Sequence, residues 1–472
     1  MSLPVVNLAQ MREWEQATWA TGQTEAEVIR RVGERVARRA LALTRANDGI
    51  LILAGKGHNG DDARAAREHL SGRRVETLEV TAADNDLPRL QTALARKPAL
   101  IIDGLFGIGL NRPLAEPWGK IIGAINESES PVLAVDVPSG LNADTGEPLS
   151  PGLAIEAAVT LAVGAPKIGF LAPGSASFVG RLEVADDVGL APNPPTTGLR
   201  WVTAADFQNF PPPRPVAGHK GTFGHLGIVA GSLGFHGASV MAARAAQRAQ
   251  PGLVTLFTQE PVYHVVASQL QAVMVGLWAA DLRLPDTTSA VLMGPGLAAS
   301  GLANSMTHFT RRLWRDSVFP VIVDASTLDW LPLGATARNV IRVVTPHPGE
   351  AARLLNTTTR QVQANRVQAL REISRRYGNC WVVLKGHQTL IGRHEGDVYV
   401  NSSGNPHLAQ GGSGDILGGY LAGWLAQPPL LVDVGQVIRF AVWQHGAAAD
   451  QLQSARPNWV VEELLAELGN AR

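Results

Sequence analysis

The run ILILAGKGHNGDD at residues 50–62 decides the fold. Ile50 to Ala54 is apolar at every position, which suits a strand covered on both faces, as in a parallel sheet. Gly55-Lys56-Gly57 ends the run, and a helix-like stretch follows. Upstream, Thr24-Glu25-Ala26-Glu27 is a capping-box pattern. Val28, Val32 and Val36 then recur on one face of the helix it opens. Downstream, apolar runs at Val75–Val80, Leu100–Ile102 and Pro131–Val135 alternate with helix-like stretches. The first half reads as α/β.

The alternation stops at Ala191-Pro192-Asn193-Pro194-Pro195, and Pro211-Pro212-Pro213 follows soon after. Such segments favour extended, exposed backbone and mark a boundary. Beyond them the alternation restarts at Leu226–Ala230, Leu253–Phe257, Ala290–Met293, Val321–Val323, Arg342–Val344 and Trp381–Leu384, and the chain finishes helix-rich from Asp415. Two α/β domains are predicted, over residues 1–195 and 196–472.

Composition narrows the function. The 472 residues carry 41 Lys+Arg and 41 Asp+Glu, a formal net charge of zero, which argues against a nucleic-acid binder. No uncharged apolar run is long enough for a membrane span. The start, MSLPVVNLAQMREWEQ, lacks the pattern of a signal peptide, so a cytoplasmic protein is expected. The one cysteine, Cys380, opens the apolar run CWVVLK and reads as buried and inert.

Ligands of open parallel sheets bind beyond the carboxyl ends of the strands. Three such ends carry glycines beside short oxygen-bearing side chains: Gly55 to Asp62, Asp103 to Gly109, and Asp136 to Gly140. Asn59, Asp103 and Ser139 could supply hard oxygen ligands to a cation. Each loop alone would pass for ordinary helix capping; three at successive strand ends favour a site. In the second half, Gly411-Gly412-Ser413-Gly414-Asp415 runs directly into a helical pattern. Free N–H groups at a helix start bind anions. A carboxylate there repels phosphate, so Asp415 reads as a base that takes a proton from a hydroxyl during phosphoryl transfer. Capping of its helix is the plainer alternative. His347, between two prolines at a strand end, stands out among the histidines, and Lys385-Gly386 suits nucleotide contact.

VDVPSGLNADTG at 135–146, HKG at 219–221, TPHPGEAARLL at 345–355 and NPHLAQGGSGDILGG at 405–419 resemble, in this order, the bacterial bifunctional NAD(P)H-hydrate repair enzymes. The resemblance covers nearly the whole chain. It implies a Rossmann-like α/β/α epimerase domain followed by a ribokinase-like dehydratase domain. The first would interconvert the R and S hydrates, NADHX and NADPHX. The second would phosphorylate the S hydrate's hydroxyl at the expense of ADP or ATP, with Mg²⁺, and phosphate loss would restore the ring. By the same resemblance, His58, Asn59, Gly60, Asp61, Asp62, the loop Gly107, Ile108, Gly109, Leu110, Asn111, Arg112 and Pro113, and Asp136 would contact the hydrate in the first domain. Asp136 would be catalytic, and Asn59, Asp103 and Ser139 would hold K⁺. In the second, Ala238, Gly296, His347 and the base Asp415 would contact the hydrate. Lys385, Gly386, His387, Gln388 and Thr389 would contact the nucleotide with Gly411, Gly412, Ser413 and Gly414. A homo-oligomer is expected, without nucleic-acid or membrane partners.

The chain departs from the family's first loop, where His58, Asp61 and Ala63 replace Asn, Gly and Gly. Asp61 is expected to strain the backbone and to set a second carboxylate beside the substrate's pyrophosphate. Two other readings compete: a ribokinase-like kinase for a vitamin precursor, and a dehydratase whose first half is a non-catalytic binding module.

Overall fold

The computed structural model describes residues 2–336 and 340–471. Its described residues divide into two units, 3–197 and 198–471, with Ser2 counted in the second.

In the first unit, the helix Glu25–Leu43 buries Val28, Val32, Val36, Ala37 and Ala40 on one face. The Thr24 side chain accepts from the Glu27 amide at 3.3 Å, but only half of the expected capping box forms. Glu27 instead accepts from Arg31 at 2.8 Å, one turn along, where two long side chains meet more easily than a carboxylate folds back. The sheet is six-stranded and wholly parallel, in the order Arg74–Glu79, Gly49–Ala54, Leu100–Gly104, Val132–Val135, Val159–Val163 and Arg181–Ala185. Apolar clusters cover both faces. The three site-bearing loops leave three neighbouring strands, Gly49–Ala54, Leu100–Gly104 and Val132–Val135. The middle strand extends past Ile102, so Asp103 lies within it and is fully buried.

In the second unit, the strands Met274–Leu277, Leu253–Thr258, His225–Val229, Ala290–Met293, Val321–Val323, Arg342–Val344 and Trp381–Leu384 are neighbours in that order and parallel. Leu390–Gly392 reverses direction, and Val398–Asn401 and Leu199–Val202 continue the sheet. The helix Ser413–Leu425 is apolar all round and buried, as a core helix must be. It packs on His236–Arg248 so closely that a Cβ on Gly419 would fall 2.0 Å from the Ala242 carbonyl oxygen. Gly423 meets Ala246 one turn later on both helices.

Cys380 is buried and its thiol is pushed up to about 12 by burial, so it is inert as read. Among the described residues, no helix is long and apolar enough to cross a membrane.

Candidate active sites

The first unit holds a cleft of about 590 Å³ at the carboxyl ends of its strands. His58, Asn59, Asp62, Asp136 and Gly107 to Arg112 line it, whereas Gly60, Asp61 and Pro113 do not. Gly57 caps the helix His58–Ala66, which presents Asn59 and Asp62 on its inner side.

Asp61 lies within that helix, where φ is negative, so the expected backbone strain is absent. Its carboxylate accepts from Arg64 at 2.5 Å, and Arg64 also holds Glu79 at 2.7 and 2.8 Å and the Gly55 carbonyl at 2.5 Å. The extra carboxylate is thus drawn out of the cleft by an arginine one turn on. Asp61 is therefore not among the residues that line the cleft, although its charge still bears on Asp62, which is.

Asn59, Asp103 and Ser139 meet around the Phe106 backbone. Ser139 donates its hydroxyl to Asp103 Oδ1 at 2.7 Å and its amide to Oδ2 at 2.9 Å. The Phe106 amide donates to Ser139 Oγ at 2.9 Å, and Asn59 Nδ2 donates to the Phe106 carbonyl at 3.0 Å. Asn59 Oδ1 is buried and has no partner. A buried acceptor without a donor is costly, and a cation beside it removes that cost. The oxygen set suits a hard monovalent ion such as K⁺.

Asp136 sits at φ +61°, a strained conformation for an aspartate, held because its amide donates to the Leu161 carbonyl at 2.9 Å and its Oδ1 accepts from the Val163 amide at 2.9 Å. Its carboxylate ion-pairs with the fully buried Lys167, which also donates to the Val163 carbonyl at 3.0 Å. Burial pushes the Asp62 pKa well above the carboxylate norm, helped by the charges of Asp136, Asp61 and Glu15. Glu15, also in the cleft, is raised by burial and by Asp136. Lys167 and Glu15 escaped the sequence reading. Lys167 lies 31 residues from its partner, and no local pattern joins the two.

In the second unit, three adjacent strand ends converge. Lys385 Nζ donates to Asp324 Oδ1 at 2.9 Å, Thr345 Oγ1 donates to the same oxygen at 2.6 Å, and Glu350 lies 3.9 Å from Lys385. Asp415 is in the first turn of the helix Ser413–Leu425, behind Gly412 at φ +95°. Burial, then the charge of Asp324, lift its carboxyl to about 7, against the pull of Lys385. Burial works against the Lys385 ammonium, but Asp324 and Glu350 outweigh it and raise its pKa. A Cβ on Gly414 would stand 3.4 Å from Lys385 Nζ. Ala238 and Gly296 are neighbours of each other, since a Cβ on Gly296 would reach Ala238 at 3.0 Å.

His347 caps the helix Pro348–Leu355. Its Nδ1 accepts from the Gly349 amide at 3.0 Å, and its own amide donates to Glu350 at 2.8 Å. Gly386 to Thr389 form a turn held by Thr389 Oγ1 on the Gly386 carbonyl at 3.0 Å. Arg366 donates to the carbonyls of Leu384 at 3.2 Å and His387 at 2.5 Å, and so pins that turn from below. His445, buried and pushed down to about 4, is neutral and donates Nε2–H to the Ser413 carbonyl at 3.1 Å. Asp324, Arg366 and His445 were not identified from sequence as parts of this site. Three carboxylates against one lysine leave negative charge that suits a divalent cation. Among the described residues, however, no group of three or more His, Cys, Asp or Glu is arranged to hold a metal.

Comparison with known proteins agrees with both halves. Residues 226–468 match the NAD(P)H-hydrate dehydratase family, and residues 74–169 match the YjeF-related protein N-terminus. The bifunctional NAD(P)H-hydrate repair enzyme of Coxiella burnetii is 34% identical over 471 residues, covering 94% of this chain and 93% of that protein. This chain belongs to the bifunctional NAD(P)H-hydrate repair enzymes. A protein named ADP-dependent (S)-NAD(P)H-hydrate dehydratase, from Neisseria meningitidis, is 40% identical over 263 residues, covering 54% of this chain and 85% of that one. A ribokinase-like superfamily protein from Enterococcus faecalis superposes with a TM-score of 0.50 at 23% identity, over 59% of this chain and 97% of that one. The family resemblance and the ribokinase-like fold expected of the second half both hold.

Proposed function

We propose that the chain repairs hydrated nicotinamide cofactors in two steps, epimerisation of R and S NAD(P)HX in the first unit and nucleotide-dependent dehydration of the S form in the second. One observation carries the dehydratase reading: Asp415, with a carboxyl near neutrality, heads a buried helix behind a glycine loop and beside Lys385. A base with a pKa near the working pH is efficient. Asp415 takes the hydroxyl proton while the amides of Gly411 to Gly414 and Lys385 bear the phosphoryl charge. Gly386 to Thr389 flank the nucleotide, and Ala238, Gly296 and His347 face the hydrate. Hydroxide leaves poorly and phosphate well, so phosphorylation lets the ring nitrogen's lone pair expel it.

In the first unit, His58, Asn59, Asp62, the loop from Gly107 and Asp136 surround the hydrate. Asn59, Asp103 and Ser139 would hold K⁺, which would supply positive charge to the cleft. The test is incubation with mixed R and S NADHX, with and without ADP, following recovery of dihydronicotinamide absorbance. Recovery of both epimers with release of inorganic phosphate supports the reading. A stable phosphorylated product supports a small-molecule kinase instead, and recovery of the S form alone supports a non-catalytic first unit.

A further inference from the structure

Asp136, Asp62 and Glu15 line the first unit's cleft, and behind them Asp136 is paired with a fully buried ammonium, Lys167, which does not itself line the cleft. A buried lysine is expensive unless its charge is met and its protons are bonded. Lys167 meets one carboxylate, that of Asp136, and spends another donor on the Val163 carbonyl. The Val163 amide returns to Asp136 Oδ1 at 2.9 Å, closing a small ring of bonds. This ring holds a strained aspartate in one orientation. Asp62 comes to the same cleft from the helix His58–Ala66 and makes no ion pair among the described residues, since Arg64 is engaged by Asp61 and Glu79 and Lys167 by Asp136. Two carboxyls in one cleft thus have opposite environments, one paired with a buried ammonium and one left to burial.

We propose that Lys167 is a positioning residue for epimerisation, fixing Asp136 as the carboxylate that receives a proton while Asp62 is the group that gives one. The inference rests on the epimerase reading above and deepens it. Asp62 donates its proton to the hydroxyl on the ring carbon next to nitrogen. That C–O bond breaks, water departs, and the nitrogen lone pair forms the C=N bond of an iminium. Water then adds to the other face, the C=N pair returns to nitrogen, and the added water's spare proton goes to Asp136. Proton exchange from Asp136 to Asp62 through the released water resets the pair. Atoms and charge balance over the cycle. Unlike partners for two like groups are the pattern that assigns acid and base in other active sites.

The experiment follows conversion of purified R-NADHX to the S form by the full chain without nucleotide, for wild type, Lys167→Met, Asp136→Asn and the double variant. Lys167→Met is expected to lower kcat at least about 100-fold, the scale of a misplaced acid–base group, with KM changed less than about threefold. The double variant is expected to be no slower than Asp136→Asn alone, because residues acting as a unit are non-additive. Should Lys167→Met fail to fold, Lys167→Gln is read in its place: its amide can donate to Asp136 but carries no charge, and a kcat loss of about 10-fold or more is expected. Wild-type kcat in the folded Lys167 variant, or losses that multiply in the double variant, overturn the proposal alone. A wild-type chain that does not epimerise R-NADHX overturns the epimerase reading as well.

Discussion

Lys385 Nζ lies 2.9 Å from Asp324 Oδ1, and through that contact the ends of two strands set the charge felt by Asp415. Asp324 raises the Asp415 pKa and Lys385 lowers it. As a base, Asp415 must be ionised, so dehydration should fall as pH drops through about 7. Asp324→Asn should shift that acid limb to lower pH, and Lys385→Met should shift it higher. Profiles of kcat with S-NADHX and ADP check this; a limb that stays in place in both variants contradicts it.

Asp415→Asn should abolish dehydration, costing about 10²–10⁴ in rate or more, while nucleotide affinity is kept or improved. Unchanged turnover would refute the base.

The same substitution should stabilise the fold. A carboxyl whose folded pKa is raised favours the native state when protonated, and that contribution is lost as pH rises through about 7. A shift from 3.8 to about 7 corresponds to roughly 4 kcal/mol. Asp415→Asn should therefore raise Tm more at pH 8 than at pH 5, as calorimetry at both values would reveal.

Asp61→Gly should leave the KM for the hydrate within about twofold. Its carboxylate is held by Arg64 outside the cleft, and an exposed pair of this kind is worth about 0–1 kcal/mol. A large fall in KM would mean that Asp61 reaches the substrate.

Potassium should stabilise the first unit through Asn59 Oδ1, its buried partnerless oxygen. An ion at 100 times its Kd adds about 2.7 kcal/mol. Thermal shifts in KCl against choline chloride at equal ionic strength should show an increment that Asn59→Ala removes.

Gly419→Ala should be poorly tolerated, because its Cβ would stand 2.0 Å from the Ala242 carbonyl oxygen. Overpacking of this sort costs about 1–3 kcal/mol or more. Separation of the two helices would also displace the helix whose first turn carries Asp415, so kcat should fall together with Tm.

Local pattern carried much of this architecture. Apolar runs such as Ile50–Ala54 made the parallel strands, glycine loops at their ends made the cleft walls, and Gly411 to Asp415 opened a helix with a carboxylate in its first turn. Period and turn chemistry are written in neighbouring residues, so they are legible there. Tertiary structure alone decided which charge meets which. Asp61 turns to Arg64, which also holds Glu79, Lys167 finds Asp136 across 31 residues, and Lys385 finds Asp324 across 61. Those pairings depend on strand order and on the depth at which each group is buried. Burial sets the strength of charge interactions and the cost of leaving a group unpaired, and a linear pattern carries neither.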